Sequence, residues 1–502
     1  MRKRRWFRKW SVLVVLLSLI CVGHGGSKAF AADRTQYPGS AAVEDSTNVV
    51  EGFKGNRVQP GVVGATVSGG GSLGFPNQVR ANMGTIGGGG GNQAGELSTV
   101  GGGGNNAATG FRATVGGGSQ NAATRDSATI GGGYGNTAAG SYTTIGGGTF
   151  NTATEVNATV GGGSGNKAEE RHSTVGGGSV NIAAGFAGTV AGGVSNNAVS
   201  TYSTVGGGIA NSAREIGATV SGGAGNVASG EYATVSGGMT NRVTALYGTV
   251  AGGRGNVTGR NSSPSNVAYA TIGGGTENRA EGSYSVVPGG SSNIADGDHS
   301  FAAGHRAIID TNHQGAFLYA DSREADFHSL EADEFAVRAT GGFRFVTATD
   351  PSGNPTAGVR ITAGSGSWES LSDRSAKTNL APANGREILG KLIQLPVMTW
   401  SYKTQSPNVR HIGPTAQDFY ATFVVGEDSA YLSAVDTNGV ALAAIQGLYG
   451  ILSEKDLQVE LQQQQIRRLE EEMASLRNEL AQLVEQVASI RGEMRTQSNF
   501  GR

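Results

Sequence analysis

ATIGGGYGNTAAGSY, residues 128–142, is one unit of a pattern that recurs along nearly half of the chain. The next two units read TTIGGGTFNTATEVN (143–157) and ATVGGGSGNKAEERH (158–172). From Thr99 to Thr249 a threonine returns every fifteen residues. The pattern resumes at Thr271 after a seven-residue insertion around RNSSPSN and continues through Val286 and Phe301. A fixed period of this size means stacked units, each closing its apolar face on its neighbours. The β-branched pair Thr-Val or Thr-Ile favours a strand, and the glycines permit tight turns. The asparagines are in step as well, at Asn121, Asn136, Asn151 and onward to Asn256. The expected fold is mainly β: a repetitive parallel β-solenoid or β-roll in which these asparagines form a ladder. About fifteen turns at roughly 4.8 Å each give a rod of roughly 70 Å. The inward residues are small (Val, Ile, Ala), so such a coil buries little alone and gains from assembly with other chains.

Glycine supplies 85 of 502 residues, which also suits collagen or a flexible linker. Collagen needs glycine at every third position, and a linker does not hold a β-branched pair and an asparagine in register. GGGSGNKA lacks the Gly-Lys-Ser/Thr ending of a phosphate loop. Calcium-binding nonapeptides need a shorter period and an aspartate where this chain has asparagine.

The units, and YSVVPGGSSNIADGDHSFAAGHRA (284–307) above all, resemble the head repeats of trimeric surface adhesins (YadA-like). That resemblance implies left-handed parallel β-rolls in a three-chain bundle.

The first residues read as a secretory signal peptide, 1–31, with a basic MRKRRWFRKW, a short apolar run and an Ala29-Phe30-Ala31 cleavage pattern. Its removal takes away seven basic and no acidic side chains, so the formal charge moves from −1 to −8. Nucleic acid is then a poor partner. Cys21, the single cysteine, leaves with the signal, so no disulfide is expected. The mature protein is expected to be secreted or on the cell surface. His299, His305 and His313, near Asp296 and Asp298, form no pattern that requires a metal, and no metal or cofactor is expected.

Beyond the signal, the sequence divides into a leader (32–84), the β-roll (85–307), a β-rich neck (308–370), an α+β core (371–444), a coiled coil (445–494) and a flexible tail (495–502). In the neck, FAVRATGGFRFVTA (335–348) reads as two strands around a Gly-Gly turn, and Pro351 with Gly353 marks another turn. Apolar residues from Ile445 to Met494 alternate at spacings of three and four. This is a heptad seam, broken only at Lys455 and Gln462. Glu472 and Arg477 fall at g and e positions that can pair between parallel chains.

Between neck and coil lie Ser-Asp-Arg-x-x-Lys (Ser372–Lys377), Trp-x-Tyr (Trp400–Tyr402), Gly-x-x-Ala-Gln (Gly413–Gln417) and a helix from Val440. This order resembles the intramolecular chaperone of phage tail spikes and fibres, the endosialidase-type domain of peptidase family S74. Ala376 stands where that family often has leucine. The resemblance implies a homotrimer whose chain cuts itself between Ser372 and Asp373, with Ser372 as nucleophile and Lys377 as general base. The physics agrees. A serine hydroxyl needs a base within hydrogen-bond reach. A lysine serves only when neutral, and lowering its pKa from about 10.4 to 7–8 costs roughly 4 kcal/mol, which burial can impose. Cleavage is therefore expected only after folding and assembly. His411 is expected to be structural.

The leading expectation is thus a homotrimeric fibre or adhesin-like protein matured by its own chaperone, with a cell-surface or glycan ligand that the sequence does not identify. One alternative is an uncleaved surface protein with a permanent trimeric stalk. Another is a tail-spike-like polysaccharide-degrading enzyme. That enzyme would need paired carboxylates at a groove, and Glu155, Glu169, Glu170, Glu215 and Glu231 make no regular pair.

Overall fold

The computed structural model describes residues 47–260 and 267–498. The signal segment, Cys21 and the last four residues lie outside this range. Two compact units meet at Ala339 and Thr340, and each is described by itself.

The first unit is a parallel β-solenoid. Each coil has a two-residue strand (Thr-Val or Thr-Ile), a glycine arc, an asparagine, a second two-residue strand and a polar arc. The first strands stack as one 19-stranded parallel ladder from Val49–Val50 to Phe335–Arg338. Thr129 pairs with Thr144 and Ile130 with Ile145, and this register repeats coil after coil. The second strands form their own parallel ladder, and single bridges such as Ser119 to Tyr134 make a third. Side chains alternate along a strand. Hence Val115, Ile130 and Ile145 point inward and are fully buried, as are Ala123, Ala138 and Ala153 from the second strand. The threonines face out.

The solenoid is longer than the fifteen-residue period suggests. It starts at Val49, inside the expected leader, because Val49 pairs with Thr66 and Thr66 with Thr85. These coils keep the inward valine and the asparagine but have longer arcs, so a fixed spacing hides them. At the other end it runs through the expected neck to Arg338. There the glycine triplet gives way and the strands lengthen to four residues: Phe301–Gly304, Phe317–Ala320 and Phe335–Arg338. Phe301, Phe317 and Phe335 replace the threonine column and stack with centroids 4.5 and 4.7 Å apart. Nineteen rungs instead of fifteen give a rod of roughly 90 Å. FAVRATGGFRFVTA is not a hairpin: Phe335–Arg338 is a solenoid rung, whereas Gly342–Thr349 pairs antiparallel with Pro355–Thr362 in the second unit.

The asparagines form a ladder, but by bonding to backbone rather than chiefly amide to amide. Asn196 illustrates it. Its N–H donates to Asn181 Oδ1 (3.0 Å), and its own Oδ1 accepts from the Asn211 N–H (3.0 Å). Its Nδ2 donates to Gly192 O and to Gly208 O, both at 2.9 Å. The same N–H to Oδ1 link runs unbroken from Asn56 to Asn293 and ends on the Ala307 N–H. It passes over the insertion, with Asn278 bonding directly to Asn256. The ladder also fixes one glycine per coil. Gly118 has φ +85°, and a Cβ there would lie 2.1 Å from Gly133 O, the carbonyl that Asn121 Nδ2 bonds. Neither the dihedral nor the space admits a side chain.

The second unit opens with a three-stranded antiparallel sheet, Gly342–Thr349, Pro355–Thr362 and Glu369–Ser370. The turn at Pro351 and Gly353 is present. Asp350 closes it by accepting from the N–H groups of Ser352 and Asn354, and bonds from Asn354 hold its carboxyl below the usual range. Three helices follow: α1 (Gly385–Leu392), α2 (Ala416–Phe423) and α3 (Ala434–Ser498). Asn384 and Thr415 cap the first two by accepting from the Glu387 and Asp418 N–H groups. Leu395, Phe419, Phe423 and Val440 make a small core with Ile388 and Leu392. At Gly385 and Gly447 the backbones of α1 and α3 touch, since a Cβ on Gly447 would lie 2.2 Å from Gly385 O. α3 holds 65 residues, a length of roughly 100 Å. Its heptad residues, Leu452, Ile466, Leu469 and Leu476 among them, are exposed on the single chain. Within the chain Glu472 pairs with Arg468 rather than Arg477. Among the described residues no helix is long and apolar enough to cross a membrane.

Replacing Asn196 by Ala leaves the buried Asn211 N–H without its acceptor and Gly192 O without its donor, while Gly208 O keeps the Val194 N–H. Each unmet group costs about 1–3 kcal/mol, so local opening should become easier by about 3 kcal/mol, roughly a hundredfold. Hydrogen exchange at Asn211 and its neighbours should quicken by that factor, and rungs far away should be unchanged.

Candidate functional site

The sequence between sheet and helices folds back on itself at one place. Leu371 N–H bonds Gly358 O (3.0 Å) and fixes the chain to the middle strand of the sheet. Asp373 then caps a short 3-10 turn, Arg374–Ala376, with its Oδ1 accepting from Ser375 N–H (2.7 Å) and Ser375 Oγ (2.6 Å). The turn closes through Lys377 N–H to Arg374 O (3.2 Å). This return sets Lys377 beside Ser372, and Nζ donates to Oγ at 2.5 Å. A spacing of five residues thus becomes direct contact between the two side chains singled out from the sequence.

The electrostatics follow from that turn. The bonds from Ser375 hold the Asp373 carboxyl below the usual carboxylate range, against a smaller opposing effect of burial. It stays ionised and accepts, as a cap must. Ser372, Asp373 and Lys377 are all exposed in the single chain. Ser372 and Asp373 line one end of a groove of about 370 Å³, whose other walls include Arg344, Arg360 and Glu369. Arg344 and Arg360 lie directly opposite each other across two strands. Glu369 answers Arg360 at 2.7 Å, and its carboxyl is held low by Arg360 and Thr362. Sequence reading missed this groove. Its walls come from strands assigned to a neck, and only an antiparallel register reveals that they flank Ser372.

The other motifs are scaffolding. Trp400 ends the strand Met398–Trp400, which pairs with His411–Gly413. His411 packs on Trp400 (4.7 Å between centroids) and its Nε2 contacts Gln405 Oε1 at 2.9 Å. Gly413 to Gln417 carries the chain from that strand through the Thr415 cap into α2. The histidines of the solenoid are not brought together. His299 stacks on Tyr284, His305 meets Glu324, and His313 Nδ1 lies 2.6 Å from Ser329 Oγ. Asp296 holds Arg260 and Thr311.

With this geometry in view, the comparison with known families is specific. Residues 372–424 match the family described as the chaperone of endosialidase, peptidase S74. The match begins at the serine that Lys377 contacts and ends just past α2. No curated protein matches the chain.

The Ser375 hydroxyl is a positioning group, because it sets the Asp373 turn without touching Ser372. Ser375→Ala should move the Asp373 carboxyl up toward its ordinary value in an NMR pH titration, and Ser375→Thr should restore it. A cap with a lowered pKa stabilises the turn above the unfolded value and loses that effect as pH falls through the folded one. Acid, not base, should therefore open the Arg374–Ala376 turn.

Proposed function

We propose that this protein is a secreted or cell-surface homotrimeric fibre, adhesin-like in its rod. Its C-terminal chaperone segment drives trimerisation and is then released by cleavage between Ser372 and Asp373. The observation that carries this reading is the 2.5 Å contact of Lys377 Nζ with Ser372 Oγ, at the first residue of the segment matching the chaperone of endosialidase.

Two further observations support assembly. The heptad seam of α3 is exposed along its length, and in a single chain it has no apolar partner to cover it. The chaperone segment leaves Ile393, Val397, Ile412 and Tyr431 more than half exposed as well, apolar side chains that an assembly could cover.

The chemistry has a stereochemical condition. Ser372 Oγ is joined to its own carbonyl carbon through Cβ and Cα only, so attack within the residue closes a four-membered ring. The hydroxyl reaches a 372–373 bond from another copy, or it acts on a water held between it and Lys377. In either case a neutral Lys377 takes the proton of the attacking O–H, the C–N bond breaks, and the Asp373 nitrogen leaves as an amine after receiving that proton; where the serine attacks, the ester formed on its Oγ is then hydrolysed by water, which leaves a carboxylate on the Ser372 carbonyl and restores the hydroxyl. Crowding three copies together brings such groups within reach and excludes water from the lysine.

Purified wild type compared with Ser372→Ala and Lys377→Ala by denaturing gel and intact mass tests the cleavage. Wild type should yield a fragment from Asp373 to Arg502, and both variants should stay whole. If wild type also stays whole while folded as a trimer, the tail is a permanent stalk. Introducing Leu469→Lys with Leu476→Lys should turn the coil monomeric by sedimentation and lower cleavage at least tenfold, although Ser372 and Lys377 are untouched.

A further inference from the structure

The solenoid has two unlike sides. In each coil one arc, glycine-rich, runs from the first strand to the asparagine, and the other runs from the second strand back to the next threonine. Between residues 85 and 253 the glycine arc and the threonine column carry no charged residue at all. Every charge in that span lies on the polar arc, as with Arg125, Glu170 and Glu215, or at the outward position of the second strand, as with Lys167 and Arg242. Eleven consecutive coils obey this division, and the next places Arg254 on its glycine arc. The uncharged side is not merely glycine. Tyr134, Phe150, Val180, Val194, Ile209 and Met239 stand out from it, each at least 40% exposed.

From this segregation we infer that the glycine arc, with its threonine column, is the face through which the solenoids of the assembled copies pack together. The inference rests on the trimer reading above. A second copy suits the face for three reasons. A surface without charge, with apolar side chains standing out from it, suits an interface core, since buried charges must be paired. A partner with the same rung spacing meets every coil in the same way, and only another copy has that spacing by construction. The extent is sufficient: eleven rungs by an arc about 15 Å wide is on the order of 800 Å² per copy, the share of a standard stable interface. The polar arc is then the side that faces solvent, including the stacked column Tyr232, Tyr247, Tyr269, Tyr284 and His299.

Hydroxyl-radical footprinting of the full chain, kept whole by Ser372→Ala, tests this. Phe150 on the glycine arc is 60% exposed in the single chain, whereas Phe186 on the polar arc is 38% exposed. If the glycine arc is covered, the order inverts, and Phe150 is labelled several-fold less than Phe186. If Phe150 remains the more labelled in a chain that sediments as a trimer, this face is wrong and the trimer stands. If the chain sediments as a monomer, both readings fall. Protection of Phe150 that appears only on adding a neutral polysaccharide also overturns the self-interface. As an independent check, Val180→Glu with Ile209→Glu should abolish the protection, and Ile216→Glu on the polar arc should leave it intact. Equal effects of the two changes count against the assignment.

Discussion

The bond from each asparagine Oδ1 to the next asparagine N–H is the constraint on which the rod depends. The inward side chains are too small to hold nineteen rungs by apolar burial alone: one Val or Ile and one or two Ala per coil. What the coil has instead is a buried amide in every turn with its hydrogen-bonding capacity met. A buried polar group without its partner is costly, and with its partner it specifies one arrangement. The Nδ2 group must reach carbonyls of its own coil and of the next, so the backbone approaches closely there. That approach requires glycine at Gly118 and its equivalents. Glycine abundance, the asparagine column and the rung spacing are therefore one fact seen three ways.

The same constraint explains which parts were legible in the sequence. Coils of fifteen residues announce themselves through their period. The coils from Val49 onward obey the ladder through Asn56 and Asn77, but their arcs differ in length, so no period is visible. From Phe301 the ladder has almost run its course, and stacked phenylalanines with the Arg338–Asp321 ion pair take over. The physical rule continues through a change of residue type that pattern matching reads as a boundary. At the site, Ser372 and Lys377 were legible through the resemblance of Ser-Asp-Arg-x-x-Lys to a known motif, and the local turn is what brings the two into contact. The Arg344, Arg360 and Glu369 walls were not, because they depend on a pairing register that no residue type states.

A ladder that tolerates long and short arcs equally well has a cost in specificity. It passes over seven extra residues between Asn256 and Asn278 with a bond of 3.0 Å, so nothing local prevents it from passing over more. Neighbouring coils differ mainly on their polar arcs, and two copies offset by one coil would present nearly the same threonines and glycines to each other. Register is weakly specified wherever repeats are this alike. The sequence breaks the degeneracy at its C-terminal side, where phenylalanines, four-residue strands and a unique heptad series occur once each.

Placing the alignment device and the Ser372–Lys377 pair on one segment couples two events that would otherwise be independent. A lysine acts as a base only where water is excluded, and in the single chain both side chains are exposed. The turn made by Asp373 and Ser375 fixes the contact but does not cover it. On the proposed reading, covering comes from other copies, which would also supply apolar partners to the exposed seam of α3. The contact is therefore ready before assembly, and the environment that would make it reactive follows from assembly. Under the proposed function, cleavage tied to that environment would remove the aligning segment only from chains already aligned. The rod would then be held in its register by the barrier to leaving it rather than by the clamp that set it.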